Sequence, residues 1–211
     1  MKLYIVRHAQ SKRNAKEKTN VDAELTAIGE EQAKRLGSYF QNVELDIVYC
    51  SKMKRARTTL EKIKPFIKNV SIKYTLDIVE YDMGIFQTNG KDDWSAFALE
   101  AKRLNIPFQE FKPKNGESLT ECYKRAGRFY KNLLKHNTKK NILIVGHGLF
   151  SLYLILYALG LPPSEGAYYN LSNASVSTLT IGKDKKVRDF HINDYNQLIR
   201  EAVKMKNERQ T

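Results

Sequence analysis

Two short apolar runs in the chain are each followed closely by a histidine. Leu3 to Val6 leads into Arg7 and His8, and Ile142 to Val145 leads, one residue later, into His147. Four apolar residues that include β-branched types favour a strand buried on both faces, as in a parallel sheet. In open α/β sheets the ligand crevice lies beyond the carboxyl ends of the strands. A lone histidine there is more often structural, but two of them predict a shared site.

Arginines near the two histidines point to phosphoryl chemistry. Arg7 and Arg55 are expected at strand ends or helix starts, and the arginine fork matches the oxygens of a phosphoryl group. One histidine could then act as the nucleophile and the other as a donor to the transferring oxygens. Glu80, on an irregular stretch, is the candidate general acid for the leaving oxygen. Glycines at 146 and 148 would let the backbone approach a ligand closely.

The apolar patterning predicts the elements that must position these residues. Thr26 is a plausible N-cap for a helix that reaches Phe40 and buries Ile28, Ala33, Leu36 and Phe40. Further strands are predicted at 46–51, 70–75, 175–181 and 187–192, the last two as a hairpin, and further helices at 52–67, 92–104, 118–136 and 149–161. Trp94, Phe97 and Leu104 would face inward, and the tail from residue 194 is predicted to be a basic helix.

Arg55 and Arg57 fall in the first turn of the helix predicted at 52–67. Cations are electrostatically disfavoured at a helix N-terminus, so this placement makes sense if an anion binds there. A solvated basic helix is the alternative.

The composition is strongly basic, with 36 Lys and Arg against 23 Asp and Glu and a formal net charge of +13. This charge would attract nucleic acid or an anionic small substrate, or it could simply reflect a lysine-rich proteome. The basic residues are spread along the whole chain without an RNA-binding aromatic motif or zinc-finger spacing. We therefore expect no nucleic-acid partner.

The sequence also gives expectations about the cellular location of the protein. No apolar run approaches the roughly 18 residues that span a bilayer, and the N-terminus does not have the layout of a signal peptide. Two cysteines without CxxC spacing fit a reducing compartment. We expect a cytoplasmic protein without a membrane partner, and the oligomeric state stays open, a homodimer included.

The chain is predicted to be one domain over residues 1–211, with the irregular stretch 80–116 inserted as a small cap over the site. Metal-dependent hydrolysis is the rival chemistry. However, neither histidine lies in an HxH, an HExxH or an acidic cluster with metal-ligand spacing. We therefore expect no metal.

Six motifs, in this order along nearly the whole chain, resemble those of the histidine phosphatase superfamily, the phosphoglycerate mutase-like family. They are Arg7-His8-Ala9 with Ser11 and Asn14, Leu25-Thr26 with Gly29 and Gln32-Ala33, Ser51 with Arg55-Ala56 and Thr58, Glu80 with Gly84, Gly116-Glu117-Ser118, and Val145-Gly146-His147-Gly148. Their common order and spacing make the resemblance specific.

The resemblance implies an α/β fold of three layers, helix, sheet and helix, with a mostly parallel central sheet and an inserted cap. It implies that His8 is a phosphohistidine nucleophile and that no metal or organic cofactor is needed. Arg7, Arg55, His147 and Asn14 would line the phosphate pocket, and Glu80 would be the proton donor and later the base for water.

The chain departs from the family pattern at several positions. Ala9 stands where the family typically has glycine, which is harmless if its φ is negative and costs on the order of 1 kcal/mol if it is positive. Arg57 would either contact a second anionic group of the substrate or be solvated. Gln87 and Thr88 replace the last two residues of the family's Gly-x-aromatic-acidic-Gly segment.

Three functions follow as hypotheses. The first is a phosphomonoesterase that hydrolyses a small anionic phosphorylated metabolite through phosphohistidine. The second is a phosphoglycerate mutase, which returns the phosphoryl group to another hydroxyl, although the predicted cap is short for that activity. The third, from another class, is a catalytically silent protein that binds anions or nucleic acid.

Overall fold

A computed structural model gives the fold over residues 1–68, 70–88, 91–137 and 139–192, so the basic helix predicted from residue 194 lies outside the described residues. The strands are β1 (Lys2–Arg7), β2 (Ile47–Ser51), β3 (Ser71–Thr75), β4 (Gln87–Thr88), β5 (Lys91–Asp92), β6 (Asn141–Gly146), β7 (Val176–Ile181) and β8 (Val187–His191). The helices are α1 (Ala27–Phe40), α2 (Lys54–Ile63), α3 (Trp94–Arg103), α4 (Leu119–His136) and α5 (Gly148–Leu159).

The main sheet has six strands in the order β3-β2-β6-β1-β7-β8. The first four are parallel to one another, and β7 and β8 continue the sheet antiparallel as the predicted hairpin. Arg7 is in register with Gly146 across the β1–β6 pair, so the residues that follow these strands, His8 and His147, emerge side by side. The predicted α/β fold with a mostly parallel sheet is confirmed.

Alternating side chains of the central strands supply two separate cores, one on each face of the sheet. Leu3 and Ile5 of β1 belong to the core under α4 and α5, whereas Tyr4 and Val6 belong to the core under α1 and α2. Because both faces are covered, the strands are continuously apolar rather than alternating with polar residues. This packing fixes the positions of the carboxyl ends of β1, β2 and β6, and the predicted site residues His8 and His147 directly follow β1 and β6.

The segment between the sheet and α4 folds as a small cap. It comprises a 3₁₀ turn at Gly84–Phe86, the β4–β5 pair, α3 and the loop that leads to residue 116. Edge-to-face contacts among its rings hold it together, with Phe97 fully buried against Phe86, Phe108 and Phe111. An aromatic cluster thus replaces regular secondary structure as the source of its stability.

Several predicted core positions are wrong. Ile28 is 62% exposed, while Ala33, Leu36 and Phe40 are buried as predicted. Trp94 and Leu104 are also partly exposed, because the aromatic cluster covers only one side of α3.

The buried position predicted for the helix after the second histidine is confirmed, since α5 is almost entirely buried. Within the described ranges, no helix has both the length and the apolar character needed to cross a membrane.

The N-terminus of α1 clamps the loop that leaves β1. Thr26 caps the helix by accepting from the Gly29 N–H, and its own N–H donates to the Gln10 carbonyl at 3.0 Å. The Gln10 N–H in turn donates to the Gln32 side chain at 2.9 Å. These contacts fix the backbone two residues after His8, and the helix lies so close that only glycine fits at residue 29.

We expect Gly29→Ala to lower the free energy of unfolding by about 1–3 kcal/mol, although an alanine normally stabilises a helix interior. The reason is that a Cβ atom at Gly29 would lie 2.0 Å from the Gln10 carbonyl oxygen, which belongs to the backbone. Urea denaturation measures the change. Ser38→Ala, at an exposed position of the same helix, is the control and should stay within about 0.5 kcal/mol. Unchanged or higher stability of Gly29→Ala would contradict the clamp.

Candidate active site

The two predicted histidines meet at the carboxyl ends of β1 and β6. His8 and His147 are both buried, with ring centroids 5.2 Å apart and ring planes inclined by 63°. The backbone N–H of His8 donates to the Gly146 carbonyl at 2.9 Å, which continues the β1–β6 pairing one residue beyond the strands. Above His8 lies a cleft of about 500 Å³. Its lining includes the predicted site residues Arg7, His8, Asn14, Arg55 and Glu80.

Hydrogen bonds fix the tautomer of His8. Its Nδ1 lies 2.7 Å from the Ala9 carbonyl oxygen, which can only accept, so Nδ1 carries the proton. Its Nε2 lies 3.0 Å from Nε of Arg55, which can only donate, so Nε2 presents its lone pair. The His8 ring is thus neutral and oriented, and Nε2 is the ring nitrogen with a lone pair free of a proton.

The surroundings keep both imidazoles neutral. Burial lowers the pKa of His8 well below its ordinary value, and the nearby charges of Arg55 and Arg7 lower it further. Burial also lowers the pKa of His147 well below its ordinary value, with the same two arginines adding to the effect. A neutral imidazole is the form that can attack phosphorus.

Ser51, at the end of β2, orients His147. Its hydroxyl lies 2.8 Å from His147 Nε2 and accepts from the Met53 N–H at 3.3 Å. In the described structure the only acceptor within hydrogen-bond distance of the Ser51 hydroxyl is Nε2, so the hydroxyl donates to it and the ring proton is assigned to Nδ1. Nδ1 is buried and has no partner in the described part of the chain, so it is available to donate to a ligand.

The two predicted arginines are held by backbone carbonyls. Arg55 is the second residue of α2 and donates through Nη1 to the Val21 carbonyl at 2.8 Å. Arg7 donates to the Leu171 carbonyl. Burial lowers the pKa of both guanidiniums, and the charge of Glu80 partly offsets the shift. Arg55 therefore lies at a positive helix end beside a nucleophile, an arrangement that favours an anion.

Asn14 is tied to the backbone of His8 through Asn173, a residue that the sequence did not single out. Asn14 Oδ1 accepts from the Ser11 hydroxyl at 2.8 Å and from Asn173 Nδ2 at 3.1 Å. Asn173 Nδ2 also donates to the His8 carbonyl at 3.0 Å. The described bonds of Asn14 use only its carbonyl oxygen, so its amide nitrogen can still donate to a ligand in the cleft.

Glu80 caps α5, a role that sequence reasoning missed. Its Oε2 accepts from the Gly148 N–H at 2.9 Å, and its Oε1 accepts from the Phe150 N–H at 3.1 Å and the Tyr81 N–H at 3.0 Å. The Gly148 and Phe150 N–H groups are among those that a helix start leaves unpaired. The carboxylate is therefore fixed at the edge of the cleft by the helix that follows His147.

Gly148 lies against two of the charged site residues. A Cβ atom there would lie 3.3 Å from the Arg7 guanidinium carbon and 3.5 Å from Glu80 Oε2. The backbone N–H of Gly148, predicted to contact phosphate, is used by Glu80 instead. Glycine at this position therefore allows the arginine and the carboxylate to pack over the start of α5.

Arg57 does not join the other predicted residues. It is exposed and lines a separate surface groove with Lys52, Lys54 and Tyr74. The reason is helical geometry, because residues two apart on a helix point in different directions and Arg55 faces the cleft. The structure thus favours the solvated alternative for Arg57.

Ala9, the departure from the family pattern, is accommodated without strain. It is not among the non-glycine residues with positive φ, and its N–H donates to Thr59 Oγ1 at 3.0 Å. A positive φ close to His8 occurs instead at Ala174, with φ 56°. The Ala174 N–H donates to the Arg7 and His8 carbonyls, so this residue helps to fix the end of β1.

Two further arginines in the cleft were not predicted. Arg13 pairs with Asp92 of the cap, and its Nη1 is buried without a hydrogen-bond partner among the described residues. Arg125 on α4 pairs with Glu117 through two bonds and donates to the carbonyl of Val79 at 3.0 Å. Arg125 therefore holds the residue that precedes Glu80. The Arg13–Asp92 pair and the bond from Arg125 to Val79 join segments distant in sequence, which local patterns do not reveal.

Among the residues that the structure describes, no three histidine, cysteine or acidic side chains cluster in a way that could hold a metal ion. The groups that can stabilise negative charge at His8 are guanidiniums and ring nitrogens. Their number and positions suit a phosphoryl group, whose three free oxygens need several donors.

Comparison with known proteins agrees with this geometry. The model of the histidine phosphatase superfamily (branch 1) matches residues 3–194. The chain is 28% identical to the uncharacterized phosphatase PhoE of Bacillus subtilis over 194 residues, which covers 90% of this chain and 94% of that protein. It is 32% identical to putative phosphoserine phosphatase 2 of Hydrogenobacter thermophilus over 170 residues, or 76% and 80% of the two chains.

Solved structures share the fold. The crystal structure of a putative alpha-ribazole-5'-P phosphatase from Escherichia coli matches with a TM-score of 0.77 at 23% identity. The match covers 91% of this chain and 95% of that one. The similarity extends over the sheet, its flanking helices and the cap rather than one motif.

The lowered pKa of His8 predicts a loss of stability in mild acid. The unfolded chain regains the ordinary pKa of 6.5, so below that pH it binds more protons than the folded protein. Stability is therefore fully present above about pH 6.5 and falls as the pH drops, by up to about 1.4 kcal/mol per pH unit for each such histidine.

Urea denaturation of the parent and His8→Asn in phosphate-free buffer measures this slope. The variant should lose less stability between about pH 6.5 and 5.5, whereas the two proteins should have equal slopes above about pH 7.5. Equal slopes below pH 6.5 would contradict the neutral, buried state of His8.

Proposed function

The chain belongs to the histidine phosphatase superfamily, and from this membership and the site we propose that it is a metal-independent phosphomonoesterase acting through phosphohistidine on a small phosphorylated metabolite. One observation carries the proposal. The Nε2 lone pair of His8 is oriented by a hydrogen bond at the other ring nitrogen and lies among Arg7, Arg55 and His147. A nucleophile surrounded by fixed donors is what phosphoryl transfer requires.

In the first step, His8 Nε2 attacks the phosphorus of the ester. The N–P bond forms as the bond from phosphorus to the ester oxygen breaks, and the other proton of the ring stays on Nδ1, which continues to donate to the Ala9 carbonyl. Arg7, Arg55 and the Nδ1 proton of His147 stabilise the charge on the transferring oxygens. Arg55 Nε, which donates to His8 Nε2 at 3.0 Å, turns to a phosphoryl oxygen when the ester binds.

Glu80 gives a proton to the leaving oxygen, so the alcohol departs neutral. Its place at the cleft edge, fixed by the start of α5, supports this role. In the second step, the Glu80 carboxylate takes a proton from water as the water oxygen attacks phosphorus. The N–P bond breaks, inorganic phosphate leaves, and His8 returns to its neutral tautomer.

The fate of the phosphoryl group separates hydrolysis from phosphoglycerate mutase activity, since both begin with the same transfer to His8. With 3-phosphoglycerate, a hydrolase releases inorganic phosphate, whereas a mutase forms 2-phosphoglycerate. The relatives reported above carry phosphatase names, which supports hydrolysis.

We expect a radiolabelled phosphate ester to label the protein with a phosphoryl group that is lost in acid and retained in base, as is typical of phosphohistidine. The His8→Asn variant should give no label and no turnover, because the nucleophilic atom is gone, and a chelator should leave turnover of the parent unchanged. Rapid quenching and gel autoradiography measure the label.

His136→Asn, an exposed substitution at the end of α4, is the matched control and should label normally. Label retained in His8→Asn would contradict the assigned nucleophile. Anion binding without label or turnover in the parent would favour the catalytically silent alternative.

We expect Glu80→Gln to affect esters according to the basicity of their leaving group. Benzyl phosphate needs a proton for its alcohol, so kcat/KM should fall by about 10²–10⁴-fold. For p-nitrophenyl phosphate, whose leaving group is stable as an anion, the loss should stay below about tenfold. Since kcat/KM reports the steps up to transfer to His8, the later activation of water does not obscure the comparison.

Asp82→Asn, in the same cleft two residues along, is the control and should change both esters by a similar factor. Equal losses for the two esters in Glu80→Gln would remove Glu80 from protonation of the leaving group. Urea denaturation of Glu80→Gln measures any loss of stability from weaker capping of the α5 N-terminus and so separates it from the effect on catalysis.

A further inference from the structure

A second cavity, of about 560 Å³, adjoins the catalytic cleft, and we call it the apolar chamber. It lies between the cap on one side and α5 with the 3₁₀ turn Pro163–Tyr168 on the other. Its lining is rich in aromatic and aliphatic side chains, namely Trp94, Phe108, Leu149, Leu152, Tyr153 and Tyr169. Cavities of this size and character are typical of small-molecule sites.

The chamber meets the catalytic cleft at Glu80. Arg7, Glu80 and Asp92 line both spaces, and Gly148 lies on the chamber side. The proposed mechanism places the phosphoryl group at His8 and the leaving oxygen at Glu80. The rest of the alcohol must then extend past Glu80, and the chamber is the space that receives it.

The chamber does not suit a charged leaving group. Among the described residues, the charged ones that line it are the three shared with the cleft. Glu80 accepts from the start of α5 and Asp92 pairs with Arg13, while Arg7 donates to the Leu171 carbonyl and is assigned to the phosphoryl group in the proposed mechanism. A carboxylate or ammonium of the leaving group would therefore lose its hydration there without a counter-charge of its own. A ring or alkyl group would instead gain burial and ring contacts.

We propose that the apolar chamber is the leaving-group site and that the substrate is a phosphate monoester of an alcohol with an aromatic or bulky apolar group. The proposal rests on the proposed phosphatase function and narrows its substrate class. Uncharged polar residues of the lining, Gln109, Ser164 and Asn170, can hydrogen-bond to heteroatoms of that group. Esters whose alcohol carries charges, such as phosphoserine and 3-phosphoglycerate, fit the chamber poorly.

Trp94 makes the chamber observable, because it is the only tryptophan of the chain. The experiment uses His8→Asn, which prevents turnover, and compares benzyl phosphate with O-phosphoserine and inorganic phosphate. Calorimetry measures the affinities, and Trp94 emission reports whether the ring enters the chamber. Because no hydrolysis is needed, the result is independent of phosphatase activity, which phosphohistidine labelling of the parent tests separately.

We expect benzyl phosphate to bind at least about tenfold more tightly than either comparison ligand and to change Trp94 emission as it saturates. Tighter or equal binding of phosphoserine would overturn the proposal and would point to the Arg13–Asp92 pair as a site for its charged groups. Tighter binding of benzyl phosphate without a change in Trp94 emission would also overturn it, because the ring would then lie elsewhere.

Two neighbouring tyrosines provide a matched pair of variants in the active enzyme. Tyr169 lines the chamber, whereas Tyr168 is 72% exposed and does not. Tyr169→Ala should lower kcat/KM for benzyl phosphate by about tenfold and leave that for methyl phosphate unchanged, and Tyr168→Ala should change neither. Equal losses for both esters in Tyr169→Ala, or an effect as large in Tyr168→Ala, would contradict the assignment.

Discussion

The site depends on the way α2 holds the imidazole of His8. Arg55 Nε faces His8 Nε2, and Thr59, one turn later on the same face of the helix, accepts from the Ala9 N–H. The Ala9 carbonyl then fixes the proton on Nδ1. One helix therefore helps to determine both the position and the tautomer of His8, the proposed nucleophile. That helix is anchored by Leu60 and other fully buried residues under the sheet, so the geometry of the reacting atom follows from core packing far from the cleft.

The same arrangement carries an electrostatic cost. Two guanidiniums and two imidazoles share a space from which water is largely removed, and burial lowers the pKa of each of the four groups. Glu80 is the carboxylate whose charge opposes the shift at both arginines. Buried charges with incomplete pairing cost stability, and an arriving phosphoryl group supplies the missing negative charge. Under the proposed function the cluster would be stabilised by its phosphorylated ligand, and the rest of the fold must tolerate it in the free protein.

Local sequence patterns predicted which residues meet at the strand ends, because apolar strands, helix starts and strand-ending histidines are short-range features. The placement of His8, Arg55 and His147 follows directly from the parallel pairing of β1, β2 and β6. Sequence patterns did not predict three contacts that join segments far apart in the chain. These are the capping of the α5 N-terminus by Glu80, the Arg13–Asp92 pair and the bonds of Asn173 to His8 and Asn14. Arg57 was predicted either to contact the ligand, because it lies in the first turn of α2, or to be solvated, and helical periodicity turns it away from the cleft.

The residues around His8, here called the phosphate half, and the lining of the apolar chamber, here called the leaving-group half, come from different parts of the fold. The phosphate half is built from strand ends and helix starts that the sheet fixes, so a change there disturbs the core as well as the chemistry. The leaving-group half is built from the cap and the turn Pro163–Tyr168, which pack mainly through side chains. Glu80 stands between the halves, held by α5 rather than by the cap. The chamber residues on the cap and on this turn can therefore change without moving Glu80, the proposed proton donor, and such changes would let the proposed reaction serve different alcohols.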